Sequence, residues 1–226
     1  GYMHIGGLYA ALISSKLARQ TGGIFYLRIE DTDKKRELEG GIEEIIQSLG
    51  NYGIFFDEGP FLNGEKKYGP YKQSERKNIY QICAKELMRA GHAYPCFCSP
   101  EELDAVRQKQ EKNKDDIGYY GTYAACRNLT YEQIEEKIKN NQPFVIRLKS
   151  PGDANTHITY SDPIRGNVEM PENHMDLVLL KSDGIPTYHF AHVVDDHFMR
   201  TNLVVRGDEW MASYPIHKQM FDLCGF

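Results

Sequence analysis

The 226 residues contain no uninterrupted apolar run longer than a few positions; even the stretch from Ala191 to Val194 is broken by His192. A helix that crosses a bilayer needs roughly 20 apolar residues, so no such span and no membrane partner is expected. Positive charge is not in excess. With 27 Lys and Arg against 32 Asp and Glu the net charge is −5, which argues against a general nucleic-acid coat and requires any nucleic acid to be met by a local patch. Cysteine is scarce and odd in number, five in all, in a chain far above the size that needs covalent staples. A disulfide framework is therefore not expected, and a reducing compartment, the cytoplasm, is. There is no internal repeat and no low-complexity tract. No charged-then-apolar leader precedes Leu8 and the first residue is Gly1, so no signal peptide is expected and the start of the protein is expected to lie outside these residues. At 41% hydrophobic and 26% charged residues the composition is that of a globular protein, and the length suggests between one and two domains.

What is present is an alternation of two periodicities. Ile5, Leu8, Leu12 and Leu17 recur at near-helical spacing until Thr21-Gly22-Gly23 stops them, which predicts a first helix. Ile24 to Ile29 is apolar at nearly every position, as a strand covered on both faces of a parallel sheet would be, and runs into the carboxylates Glu30, Asp31 and Asp33. Leu38, Ile42, Ile45, Ile46 and Leu49 form a second amphipathic stripe ending at Gly50, and Ile79, Ile82, Cys83 and Leu87 carry a third within Gln73 to Ala90. Tyr94 to Cys98 reads as a short strand. This alternation points to a doubly wound α/β domain.

From about residue 96 the character changes. Ser99-Pro100-Glu101-Glu102 and Thr130 with Gln133 are helix-start signatures. The charged run Arg107 to Asp116 reads as a solvated helix face or mobile loop. Phe144, Ile146 and Leu148 alternate as in a half-buried strand, and segments 144–149, 156–161 and 175–181 predict a small antiparallel element. Beyond the Asp183-Gly184 turn, Pro186 to about His197 reads as a helix and Asn202 to Arg206 as a buried strand capped by Gly207 to Trp210. Tyr214 to Cys224 reads as a last helix stopped by Gly225. Cys83 and Cys224 read as core. An α/β pattern is thus interrupted by an α+β insertion and resumed, with divisions at 1–95, 96–185 and 186–226.

Two groups of residues suggest chemistry on physical grounds. His4, Gly6 and Gly7 sit where the first helix begins; a helix start presents free N–H groups, and glycines let a phosphate approach the backbone, although an ordinary turn accounts for the same residues. Alternation on a strand places Cys96 and Cys98 on one face, as two thiolates of a tetrahedral metal site require, although buried cysteines are also common without metal.

Read in order, His4-Ile5-Gly6-Gly7, Leu27 to Asp33, Gln73-Ser74-Glu75-Arg76, Pro186 to Ala191, Val194-Asp195-Asp196-His197 and Val205 to Trp210 resemble the class I glutamyl-tRNA synthetases over nearly the whole chain. Gly7 stands where the His-Ile-Gly-His signature ends in His. The run Arg28 to Asp33 resembles glutamyl rather than glutaminyl enzymes. The resemblance implies a Rossmann-like doubly wound parallel sheet with an inserted α+β domain that binds the acceptor stem. It implies ligation of L-glutamate to the 3′ end of tRNA(Glu) through glutamyl-adenylate, with ATP and Mg2+, by a monomer. It gives His4 the catalytic place at the α-phosphate, with Gly6, Gly7, Glu209 and Trp210 on ATP. Glu30 and Tyr188 face the substrate ammonium, Arg206 its side-chain carboxylate, and His192 lies in the same pocket. Arg206 has an alternative as an ion-pair partner of Asp208 or Glu209, and Asp195 and Asp196 one as helix or loop caps.

Cys96, Cys98 and Cys126 resemble the zinc site of some glutamyl enzymes. The position two places after the third cysteine, His in some relatives, is Asn128, so Tyr120 or Tyr123 is the expected fourth donor, and Tyr123 is taken for Zn2+. RNA phosphates would be met by Lys34, Lys35 and Arg36 or by Arg107, Lys109, Lys112 and Lys114, each of which also reads as solvated surface. The resemblance further implies a truncated catalytic fragment. A strand before Gly1, a Lys-Met/Leu-Ser-Lys-like loop after Phe226 and a helical anticodon-binding domain would lie outside it, so little or no aminoacylation by these residues alone is expected. Two alternatives stand beside this reading: the glutamyl-queuosine tRNA(Asp) synthetase, and a non-catalytic zinc-stabilised tRNA-binding module.

Overall fold

The computed structural model describes residues 3–32, 39–62 and 67–226. Tyr2, Asp33, the basic triplet Lys34 to Arg36 and Leu38 lie outside the described residues. The chain divides into two compact units, Gly1–Lys77 with Val194–Met211, and Asn78–Val193 with Ala212–Phe226.

In the first unit, α1 (Ile5–Thr21) begins on His4 as N-cap and ends at Gly22, whose φ of 66° turns the chain out of the helix. In α2 (Gly41–Asn51), Glu43 and Glu44 in the first turn complement the helix dipole. Its stripe is anchored by Leu49, 1% exposed. The stripe of α1 forms the expected helix but is not buried: Ile5 is 80% exposed, and Ile5, Leu8, Tyr9 and Leu12 line an open apolar hollow with Tyr52 and Ile54.

The parallel pairing expected of Ile24 to Ile29 is present as two isolated bridges, Tyr26 to Glu58 and Ile29 to Lys72. Leu27 N–H donates to the Glu58 carbonyl at 2.9 Å, and Ile29 N–H to that of Tyr71 at 2.8 Å. The segment is not covered on both faces, since Ile24 is exposed and only Ile29 is buried. Asn202 to Arg206, expected as a buried strand, has no strand pairing among the described residues, and Leu203 and Val204 are about half exposed. An apolar run records a preference for extended chain; pairing needs partners at its edges and burial needs layers on its faces, neither of which a local pattern encodes.

In the second unit, α3 (Lys77–Arg89), which follows a single 3-10 turn at Gln73–Arg76, leads into β1 (Ala93–Cys96). Then come α4 (Pro100–Asn113), α5 (Tyr131–Lys139), β2 (Val145–Leu148), β3 (His157–Asp162), β4 (Gly166–Pro171) and β5 (Val178–Leu180). α6 (Tyr188–Phe198), whose residues from Val194 on belong to the first unit, and α7 (Tyr214–Cys224) complete the order. β1, β2 and β5 form an antiparallel sheet with β2 central, and β3 pairs only with β4. The single antiparallel element expected of 144–149, 156–161 and 175–181 is therefore two sheets. β4 escapes the sequence pattern because its partner lies across a turn in which Asp162 accepts from Ile164 N–H at 2.8 Å and Arg165 N–H at 2.7 Å.

A centre placed between two strands also corrects β2. Of the alternating set Phe144, Ile146 and Leu148, Phe144 is exposed, and Arg147 is buried with Ile146 and Leu148. The charged run from Arg107 continues α4 to Asn113, and within it Gln110, 1% exposed, bonds both the N–H and the carbonyl of Gly118. Cys83 and Cys224 are half-buried rather than core.

Both predicted capping boxes form, Ser99 with Glu102 and Thr130 with Gln133. Ser99→Ala is expected to cost about 1 kcal/mol and to lower the thermal midpoint by roughly 2–4 °C. Differential scanning calorimetry would read this shift, and an unchanged midpoint would show that the Ser99 cap contributes nothing.

Candidate functional site

The first unit holds the start of α1 and a buried network of charge. His4 Nδ1 accepts from Gly7 N–H at 3.4 Å, so the exposed imidazole caps the helix it precedes. A Cβ at Gly6 would come within 3.2 Å of that ring, and one at Gly7 within 3.0 Å of Met3 Sδ, so the two glycines keep the helix start open. Arg28 donates to Asp196 at 2.7 Å and lies 3.3 Å from Glu30 and 3.8 Å from Asp195. Burial opposes its charge, but Asp196 and then Glu30 hold its pKa above the ordinary arginine value. Asp195 receives Arg76 Nε at 2.7 Å and Gln73 Nε2 at 2.9 Å, and Asp31 receives the N–H and hydroxyl of Ser74 at 2.8 and 2.6 Å. The motif Gln73-Ser74-Glu75-Arg76 thus ties two carboxylates, and Asp195 and Asp196 are charge partners of Arg76 and Arg28.

Arg206 lies in the same unit with its guanidinium 4.7 Å above the Trp210 ring, a cation–π distance. Burial lowers its pKa, while Glu30 raises it and Arg28 lowers it. Glu30 keeps over a third of its side chain exposed while one oxygen faces Arg28. Glu209 folds back toward Gly207, where any Cβ would strike its carboxylate.

Tyr188 and His192 belong to the second unit, on the first turns of α6. The His192 ring stacks on His217 of α7 at 4.5 Å, and His189 Nδ1 lies 3.0 Å from His217 Nε2. Burial, then the neighbouring His192, lowers the His189 pKa.

The second unit also gathers Cys96, Cys98 and Cys126, whose sulfurs lie within 4.8 Å of one another. β1 ends at Cys96, the chain bends through Phe97 and Cys98, and Cys126 comes from a 3-10 turn at Ala125–Asn128. The phenol among them is Tyr119: its hydroxyl is 3.5 Å from Cys96 Sγ, 3.2 Å from Cys98 Sγ, and accepts from Cys126 N–H at 3.0 Å. Tyr123 is directed elsewhere, its hydroxyl 2.5 Å from Asp115, and Tyr120 donates to the Asp116 carbonyl. Cys98 and Cys126 are 3.6 Å apart. A tetrahedral ion with arms of about 2.3 Å to sulfur and 2.0 Å to oxygen separates its donors by roughly 3.5–3.8 Å, so this donor set fits. A hydrogen bond from Cys126 pulls the Cys96 thiol below its ordinary pKa against burial, with Tyr119 adding to the effect and Arg147 contributing last. The same bond, then burial, raises Cys126, and burial raises Tyr119.

Residues 1–225 match the family described as tRNA synthetases class I (E and Q), catalytic domain. The chain belongs to this family. It is 52% identical over its whole length to the glutamate–tRNA ligase of Clostridium beijerinckii, covering 41% of that protein. It is 52% identical to that of Acetivibrio thermocellus, covering 42%. A solved glutamate–tRNA ligase from Elizabethkingia meningosepticum, in complex with its amino acid, superposes over the whole chain with a TM-score of 0.90 at 38% identity, covering 45% of that structure. The chain thus spans well under half the length of these relatives.

Within this class I catalytic domain, the residues that sequence reasoning did not single out are Tyr119, Arg147 and His217, and Arg76 stood only within its motif, with no role. Each acts through a partner distant in sequence. The one local signal was Arg147, a charge between two apolar residues of a strand. Among the basic residues expected to meet RNA, Arg107, Lys109, Lys112 and Lys114 are exposed.

Proposed function

We propose that the protein carrying these residues ligates L-glutamate to the 3′ end of tRNA(Glu) through glutamyl-adenylate, consuming ATP with Mg2+, as a cytoplasmic monomer. The reading is carried by the family match over residues 1–225 and by a unit that holds the capped helix start of His4 together with Glu30 and Arg206. An amino acid with a second carboxylate needs these two opposite charges, one for its ammonium and one for its side chain. On this reading Glu30 and Tyr188 bind the ammonium, Arg206 binds the side-chain carboxylate through its planar fork, and His192 is assigned to glutamate binding as well. Negative charge grows on the α-phosphate as the substrate carboxylate attacks. His4 and the N–H groups of the helix start are the fixed donors for that charge, and Gly6 and Gly7 admit the nucleotide. Glu209 and Trp210 take the ribose and adenine. Residues 96–185 are assigned to the acceptor stem, and 1–95 with 186–226 to the catalytic fold. Glutamate-dependent ATP–pyrophosphate exchange by the full-length protein with tRNA tests the proposal. Exchange with glutamate, at least about 100-fold weaker with glutamine, is expected from a site built around a charged partner; no exchange with glutamate refutes it.

We further assign Zn2+ to Cys96, Cys98, Cys126 and Tyr119. The ion would supply a structural crosslink between the end of β1, the Tyr119 segment and the turn carrying Cys126. Stripping it with a chelator is expected to cost about 3–4 kcal/mol, read as a fall of on the order of 10 °C in the thermal midpoint. Tyr119→Phe should weaken zinc binding measurably while Tyr123→Phe does not. Metal analysis that finds no zinc in the purified protein would remove the assignment.

A further inference from the structure

Arg147 is 8% exposed on the central strand β2, and among the described residues no carboxylate pairs with it. Its Nη1 donates to the backbone carbonyl of Asp176 at 2.9 Å, a neutral partner, and its Nε is buried with no hydrogen-bond partner among the described residues. The Asp176 carboxylate is committed elsewhere, to Tyr94, Arg127 and the N–H of Ser150. A buried guanidinium without a counter-charge is costly, so negative charge is to be sought in what it touches.

What it touches is the Tyr119 ring, whose hydroxyl lies among the thiols. In the β1–β2 ladder Arg147 is paired with Tyr94 and Val145 with Cys96, so Arg147 is diagonal to Cys96 on the same face. Its guanidinium carbon lies over the Tyr119 ring, 4.1 Å from the centroid. Three thiolates and a phenolate around one divalent cation carry two negative charges in excess, and the outer groups that balance and orient such ligands set the affinity of the site.

We propose that Arg147 is the positioning residue of this metal centre: its buried charge balances the ligand set, and its plane holds Tyr119 against the three sulfurs. The inference rests on the zinc assignment above and names the residue that makes so anionic a ligand set tenable in a buried position. A lysine at 147 would keep the charge, while methionine would keep most of the volume and none of the charge.

The experiment is Zn2+ affinity of the chelator-stripped full-length protein, measured by competition with a chromogenic chelator, for wild type, Arg147→Met and Arg147→Lys, with the Co2+ absorption spectrum as a second readout. At least about tenfold weaker binding by Arg147→Met is expected, with Arg147→Lys within about threefold of wild type and the tetrahedral thiolate–Co2+ bands retained in the lysine variant. Methionine binding as well as wild type, or lysine binding as poorly as methionine, overturns the proposal. Should Arg147→Met not fold, Arg147→Gln takes its place with the same criteria. A wild-type protein that binds no Zn2+ fails the metal assignment itself, and that arm tells the two failures apart.

Discussion

Asp195→Ala is expected to destabilise the chain by about 3–5 kcal/mol, because it leaves buried positive charge without its counter-charge. The Asp195 side chain is fully buried, and that of Arg76 is 1% exposed. One carboxylate oxygen meets Arg76 Nε at 2.7 Å and the other accepts from Gln73 at 2.9 Å. The other acceptors of Arg76 are the carbonyls of Tyr68 and Pro70, which offer no net charge. Arg28 loses a carboxylate 3.8 Å away but keeps Asp196, so the damage centres on Arg76. The cost comes from stranding a guanidinium rather than from the worth of the pair, which makes a second result predictable. Arg76→Met combined with Asp195→Leu should be less destabilising than Asp195→Ala alone, since packed apolar groups of similar volume replace both charges. Equilibrium urea unfolding followed by the fluorescence of Trp210, the single tryptophan, which lies in the same unit, measures both. A loss under about 1 kcal/mol for Asp195→Ala would mean that water reaches the network and screens it.

How far the chain can be read without coordinates depends on whether a feature is local. The helix starts at Ser99 and Thr130 were legible because a capping box is written within four residues, and the stop at Gly22 because a positive φ favours glycine. The motifs around His4, Glu30, Arg206 and Trp210 were legible as an ordered set. Pairings were not. The sequence between Tyr26 and Glu58 says nothing of their bridge, and Asp195 looked like a cap because its partners Arg76 and Gln73 are more than 100 positions away. Tyr119 was passed over for Tyr123 by the same logic. Nearness in sequence to Cys126 pointed to Tyr123, whereas the 3-10 turns on either side of Ala124 carry that side chain to Asp115 and leave Tyr119 facing the sulfurs. Arg147 was hidden by the assumption that an alternating strand has a wet face, which fails where another segment, here the one carrying Tyr119, covers that face.

The second large effect is expected at Arg206, where leucine should lower kcat/KM for glutamate at least about 1,000-fold, equivalent to roughly 4 kcal/mol. Burial already works against the charge of this guanidinium, and the protein places it over Trp210 at 4.7 Å near both Glu30 and Arg28. A charge kept in such a place costs stability and is tolerated where a ligand of opposite sign is to be met. On the proposed reading that ligand is the side-chain carboxylate of glutamate, present in ground state and transition state alike, so the loss should fall mainly on KM. Arg206→Lys restores the charge but not the two-pronged geometry and should recover only part of the loss. A structural role for Arg206 predicts a different pattern: the unfolding midpoint drops with leucine, and the kinetic loss falls on KM for ATP as much as on KM for glutamate. Steady-state ATP–pyrophosphate exchange on the full-length protein, with urea midpoints for each variant, separates the two. If Arg206→Leu keeps kcat/KM within about fivefold of wild type, the carboxylate partner is another residue and the glutamate reading of this site falls.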